Sequence, residues 1–228
     1  MGYLCCRQAI SCVYYSVVSL KFPISLVGKR IPLTPTILYD VSDNIIVEIK
    51  GDIPNSWVYA GIPYDPVRIE VGSSCEIIGN QAFRYCSKLT TVTFAEGVHT
   101  ISSKAFRDCA ALTTLGTIPL SVTSLGGSDT FAAAQALTSP LVILNSECNL
   151  PYLSFWSTAF TTAYLAPPPQ NIQGGQPWEG AFQGSSLTTV YAKDAVASGW
   201  TLGAGQTVGN KTGVTVLNWD NYPDPTPN

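Results

Sequence analysis

The residue types that do chemistry are sparse in this sequence and poorly spaced for it. Its single histidine, His99, sits in a loop with no recognised nucleophile motif beside it. Neither the G-x-S-x-G nor the H-E-x-x-H pattern occurs. The carboxylates are spread thinly, so no acid–base pair for glycoside hydrolysis can be named. Seven cysteines are present, Cys5, Cys6, Cys12, Cys75, Cys86, Cys109 and Cys148, without any C-x-x-C pair. The count is odd and the spacing is wrong for zinc, so neither a metal site nor a disulfide framework is signalled. Cys5, Cys6 and Cys12 cluster, but with no supporting histidine they read as packed or unpaired thiols. The stretch from Gly203 to Thr212 imitates a phosphate-binding loop, yet Asn210 splits its Gly-Lys-Thr core and no helix is expected after it. Asn210-Lys211-Thr212 also fits an N-glycosylation acceptor. These residues predict a chain that is not an enzyme and carries no cofactor and no metal.

Composition narrows the classes further. A net charge of −3 with scattered Lys and Arg offers no basic patch, so nucleic acid is not an expected partner. Only 12% of residues are charged, about half the usual ~25%, and the abundant Ser, Thr, Gly and Tyr suggest an extracellular or virion-like surface. Residues 1–30 make a poor signal peptide, because Arg7 and Gln8 interrupt the apolar run. No stretch of ~18 apolar residues is present for a membrane span. Gly2 with Cys5 and Cys6 fits the myristoylation pattern badly, because Cys6 stands where Ser or Thr is wanted.

The elements that position all these residues are written in a repeat. IIGNQAFRYCSKLTTV, from Ile77, returns as TISSKAFRDCAALTTL, from Thr100. Ile78 to Ile101, Phe83 to Phe106, Cys86 to Cys109, Leu89 to Leu112 and Val92 to Leu115 are each 23 residues apart. A fixed period of this size sends the same side chains inward in every coil of a solenoid. Leu89 to Phe94 reads as a short strand, and the AFRYC and AFRDC pieces as helical or 3₁₀ turns with Arg84 and Arg107 in water. Cys86 and Cys109 read as small buried hydrophobes. Downstream, Leu125, Phe131 and Leu137 keep the slots, with Ala134 in the cysteine position. Ala159-Phe160 with Leu165, and Ala181-Phe182 with Leu187, look like two further units 22 residues apart. Val67 to Val71 occupies the strand slot before the first clear unit.

The pattern I-x-x-x-A-F-x-x-C-x-x-L-x-x-V, carried by Ile78, Ala82, Phe83, Cys86, Leu89 and Val92, and by Ile101, Ala105, Phe106, Cys109, Leu112 and Leu115, resembles the BspA-type leucine-rich repeat. That family occurs in bacterial and protist surface proteins and in phage proteins. The resemblance implies a non-enzymatic binding or display role.

The predicted fold is therefore mainly β: a leucine-rich-repeat solenoid of about five coils over residues 67–192, flanked by small β-rich caps at 1–66 and 193–228. Strands are expected near 12–27 and 37–49, chopped by Pro and Gly, and near 89–94, 112–118, 137–144 and 187–192. The expected core is Ile78, Phe83, Cys86, Leu89, Val92, Ile101, Phe106, Cys109, Leu112, Leu115, Phe131, Leu137, Phe182 and Leu187. The expected role is a structural or adhesive protein of a phage virion, as capsid decoration, fibre or host-binding protein, with a bacterial cell-surface adhesin as the alternative. Partners would be other copies of the chain, other virion or surface proteins, or a host receptor or glycan. Tyr14, Tyr15, Val17 and Val18 are the expected subunit contact.

Overall fold

Alternation of inward aliphatic and outward polar residues makes the strands, and repetition stacks them. The computed structural model describes residues 32–57, 65–174, 176 and 178–219. The strands expected near 12–27, the contact residues Tyr14, Tyr15, Val17 and Val18, the thiols Cys5, Cys6 and Cys12, and the final Pro-rich residues lie outside them. β1 (Thr36–Tyr39) and β2 (Ile45–Ile49) form an antiparallel hairpin. β3 (Arg68–Val71) pairs antiparallel with β1 and parallel with the next coil's strand. On another side of the coil, β4 (Ile77–Ile78) starts a second column. The ladder begun by β3 continues in parallel through β5 (Thr91–Phe94), while β6 (Thr100–Ile101) pairs with β4, and β7 (Thr114–Leu115) extends β5. A single bridge from Ile118 to Ile143 leads to a second parallel ladder of β8 (Leu141–Ile143), β9 (Thr162–Leu165) and β10 (Thr189–Ala192). β11 (Gly203–Val208) and β12 (Lys211–Asn218) close it as an antiparallel hairpin, with β12 parallel to β10. Among the described residues the result is a mainly β solenoid of about six turns with almost no helix.

Register places Ile69, Val92 and Leu115 in one inward row, and Ala163, Val190 and Val216 in another. One hydrophobic core runs without a break from Leu38 to Val216. β5 and β7 start two residues later than the sequence suggests, because Leu89 and Leu112 still belong to the turn. Their amides donate to the carbonyls of Cys86 and Cys109 at 3.2 and 3.0 Å.

The Ala-Phe pieces are not helical. Gln81 and Tyr85, and again Lys104 and Asp108, stand at φ between 57° and 65°, and this alternation of backbone hand sends every second amide out of the coil. Those amides bond to the next coil: Phe83 to Ala105, Phe106 to Thr130, Phe131 to Ser154 and Phe155 to Ala181, at 2.8 to 2.9 Å. A helix would have turned the same amides back on their own coil, leaving the stack without this ladder. Among the described residues, Pro169–Asn171 forms a short 3₁₀ turn.

The same register stacks Phe83, Phe106, Phe131, Phe155 and Phe182 face to face, with centroids 5.2 to 5.6 Å apart. The fourth ring is Phe155, not Phe160 as the Ala159-Phe160 dipeptide suggests. Phe160 packs edge-on to Phe155 and Phe182, in the place that Leu89 and Leu112 hold earlier. The columns also reach upstream of Val67: Trp57 meets Phe83 edge-on at 5.5 Å, and Ile53 bridges to Ile78.

Candidate binding surface

All fourteen predicted core residues, Ile78, Phe83, Cys86, Leu89, Val92, Ile101, Phe106, Cys109, Leu112, Leu115, Phe131, Leu137, Phe182 and Leu187, lie at 5% exposure or less. They build the scaffold and none faces a partner. The cysteine slot three residues after each Phe continues as Ala134, Thr158 and Ser185. The two hydroxyls donate to the Phe155 and Phe182 carbonyls at 2.9 and 2.7 Å, so the slot takes any small side chain that satisfies itself locally. Cys75 and Cys148 are buried as well. Burial pushes the Cys75 thiol up to about 11 and those of Cys86 and Cys148 up to about 12, and it also raises Cys109. Thiols held protonated in this way are poor nucleophiles and poor metal ligands. Among the described residues, no group of three His, Cys, Asp or Glu converges.

His99 is exposed, and its carbonyl accepts the Thr123 amide at 3.0 Å as part of the coil-to-coil ladder. Arg84 and Arg107 are half-buried, not fully in water. They zigzag with Asp108 and Asp129 along the turn side, at 3.4, 3.4 and 3.0 Å. Asn210 is a structural asparagine: its Nδ2 donates to the Gln176 carbonyl at 2.6 Å. Its Cβ, together with the Gly209 carbonyl, abuts Gly180, where any side chain would collide. The resemblance to a phosphate loop ends there too, because Gly203 to Thr212 is spent on an antiparallel hairpin.

What remains is the outer face of the ladders, and it changes character along the molecule. On the first, the outward residues are Arg68 and Glu70, Thr91 and Thr93, and Thr114. Arg68 lies 3.4 Å over the Tyr39 ring and pairs with Asp43 and Glu70, which closes the N-terminal end of that face. On the second ladder the register lines up Val142, Tyr164, Tyr191 and Leu217 in a single outward row. Tyr164 and Tyr191 stack at 4.7 Å, Trp219 tilts against Tyr164 at 5.5 Å, and Leu144 packs alongside. Burial, with Tyr191 adding to it, raises the Tyr164 phenol above its ordinary value. Sequence reasoning missed this row, although Tyr164 and Tyr191 each stand between two inward aliphatic residues of a strand and so have to point outward. On the turn side, Tyr85, Tyr152 and Trp156 are exposed as well.

Residues 66–174 match the family described as BspA type leucine rich repeat region, in six copies. No curated protein matches the chain. A solved structure, a leucine-rich repeat protein from Bacteroides ovatus ATCC 8483, is similar at 16% identity and a TM-score of 0.33 over 68% of this chain. The match spans 52% of that protein, about half its length. Among the described residues, no helix is long and apolar enough to cross a membrane. With six repeat copies matched and each coil stacked on the next, residues 66–174 of this chain form a BspA-type leucine-rich repeat region.

Proposed function

We propose that this chain is a non-enzymatic structural or adhesive protein displayed on a particle surface, a phage virion component that decorates, extends or attaches. We further propose that it makes its main protein contact through the outer face of β8, β9, β10 and β12. The observation that supports this is the Val142, Tyr164, Tyr191 and Leu217 row. Large, stiff, half-buried aromatics on a rigid sheet give contact area at little entropic cost, which is why Tyr and Trp dominate interface hot spots. Repeat regions of this family are generally protein-interaction modules and are often surface-exposed, and the low charge of the chain agrees with such a setting.

Replacing Tyr164 and Tyr191 by Ser should weaken capture of the partner by about ten-fold or more while the solenoid still melts cooperatively. Unchanged capture would remove this face from the interface. The family match also supports a second reading, a bacterial cell-surface adhesin. Mass spectrometry separates the two: the chain is expected in purified virions, and its presence in washed bacterial envelopes instead would establish the adhesin. In the virion setting the partners are other copies of the chain or neighbouring virion proteins.

A further inference from the structure

Where the terminal hairpin folds over the last coil, it leaves a cavity of about 310 Å³. That is the lower end of the small-molecule range of ~300–1,000 Å³, enough for one ring and its substituents. The cavity lies at the C-terminal end of the stack, where β11 and β12 depart from the repeat, so its shape is not dictated by the coils. Trp200, Pro169 and Ile172 supply apolar wall, and Gln206, Thr201 and Thr207 supply amide and hydroxyl groups. Gly199 and Gly209 contribute bare backbone. At Gly199, φ +84°, no atom lies within 4 Å of where a Cβ would stand, so a ligand can approach the main chain there. Trp200 is 7% exposed, and its buried indole N–H has no acceptor among the described residues, which an acceptor from outside the chain would relieve.

None of the described lining residues is charged. Three other surface cavities differ in this respect: one carries Glu96, one Glu70, and one Lys193 with Asp194. An ion entering the uncharged cavity would lose hydration and gain no counter-charge. The glycine-rich strand that resembles a phosphate loop forms one wall, but it is paired antiparallel with β12. Phosphate and carboxylate ligands therefore find no counter-charge there. A neutral polyhydroxylated ring fits both halves of the lining, with C–H groups against indole, proline and isoleucine and hydroxyls toward the amide and threonine groups.

We infer that this cavity binds the terminal residue of a neutral glycan. The inference rests on the adhesive reading for its setting, but it uses a surface separate from the tyrosine row. The test applies the full chain to an array of immobilised neutral, sialylated and sulfated oligosaccharides, beside Thr207→Trp, which fills the cavity from an exposed position, Gln206→Ala, which removes an amide, and the Tyr164→Ser/Tyr191→Ser pair. The expected result is retention on neutral glycans by the intact chain and by the tyrosine pair, about ten-fold weaker retention for Gln206→Ala, and none for Thr207→Trp, with thermal midpoints unchanged. Retention only on anionic glycans, none on any, or full retention by Thr207→Trp would overturn it. Loss of protein capture confined to the tyrosine pair concerns the sheet face alone, so the two readings fail separately.

Discussion

At the scale of single residues, Ala133 carries an unusual burden. It holds φ at +59° in the third Phe turn, a conformation that costs an L-residue roughly 1–2 kcal/mol, and it does so because its amide must reach the Trp156 carbonyl of the next coil, 2.8 Å away. Glycine adopts this φ freely but orders at greater entropic cost, so Ala133→Gly should raise stability by roughly 0.5–1 kcal/mol, seen as a higher urea midpoint with an unchanged slope. A lowered midpoint would mean that the turn is not under this strain. The buried thiols lead to a second expectation. Their folded values of about 11 to 12 lie above the 9.0 of a free thiol, so the folded state binds protons that the unfolded state releases. The stability they support is fully present below pH ~9 and is lost as pH climbs toward 11–12. Melting from pH 8 to 11 should show a steepening fall, and replacing Cys86 and Cys148 by Ala should flatten it. A thiol reagent should label Cys75, Cys86, Cys109 and Cys148 only after unfolding.

At the scale of elements, each coil is an aromatic ring, a small slot and a short strand held in one order, and a fault in one is felt by its neighbours. Phe106→Ala and Phe155→Ala should each cost about 3–5 kcal/mol, because rings on both sides hold the void open. An unchanged thermal midpoint would mean that the ring is not part of the stack. The first of these was plain in the sequence, where five slots recur at one spacing. The second was not: Phe131 to Phe155 is 24 residues and Phe155 to Phe182 is 27, and Ala159-Phe160 copies the expected dipeptide five residues too late. The slot that holds leucine elsewhere accepts a phenylalanine edge-on, so residue type alone cannot tell the two positions apart. Backbone hand was hidden for a related reason. Gln81, Lys104 and Leu153 occupy left-handed positions that a reader assigns to glycine, and the coil-to-coil bonds that compel them are long-range. The strands themselves were legible because alternating threonine and aliphatic residues carry their own signature.

At the scale of the molecule, the two ends of the described solenoid are finished differently. The β1–β2 hairpin covers one end, pinned by Arg68 and Tyr39, and the β11–β12 hairpin covers the other, locked where Gly180 meets Gly209 and Asn210. Deleting residues 193–228 would expose the edge of β10 and the last ring, Phe182. The truncated chain should self-associate in light scattering, whereas a clean monomer would show that the last coil needs no cover. The Phe turns also give the stack a direction. From Phe83 to Phe182 every backbone bond in that column runs from one coil's N–H to the following coil's C=O, ending on the Gly209 carbonyl. Peptide dipoles summed along it leave the end near Phe83 electronegative and the end near Phe182 electropositive, as in a helix read in reverse. Two such stacks stripped of their covers could pair these edges head to tail but not head to head, so any polymer built that way would be polar, and insertion of a coil preserves the sense of the whole.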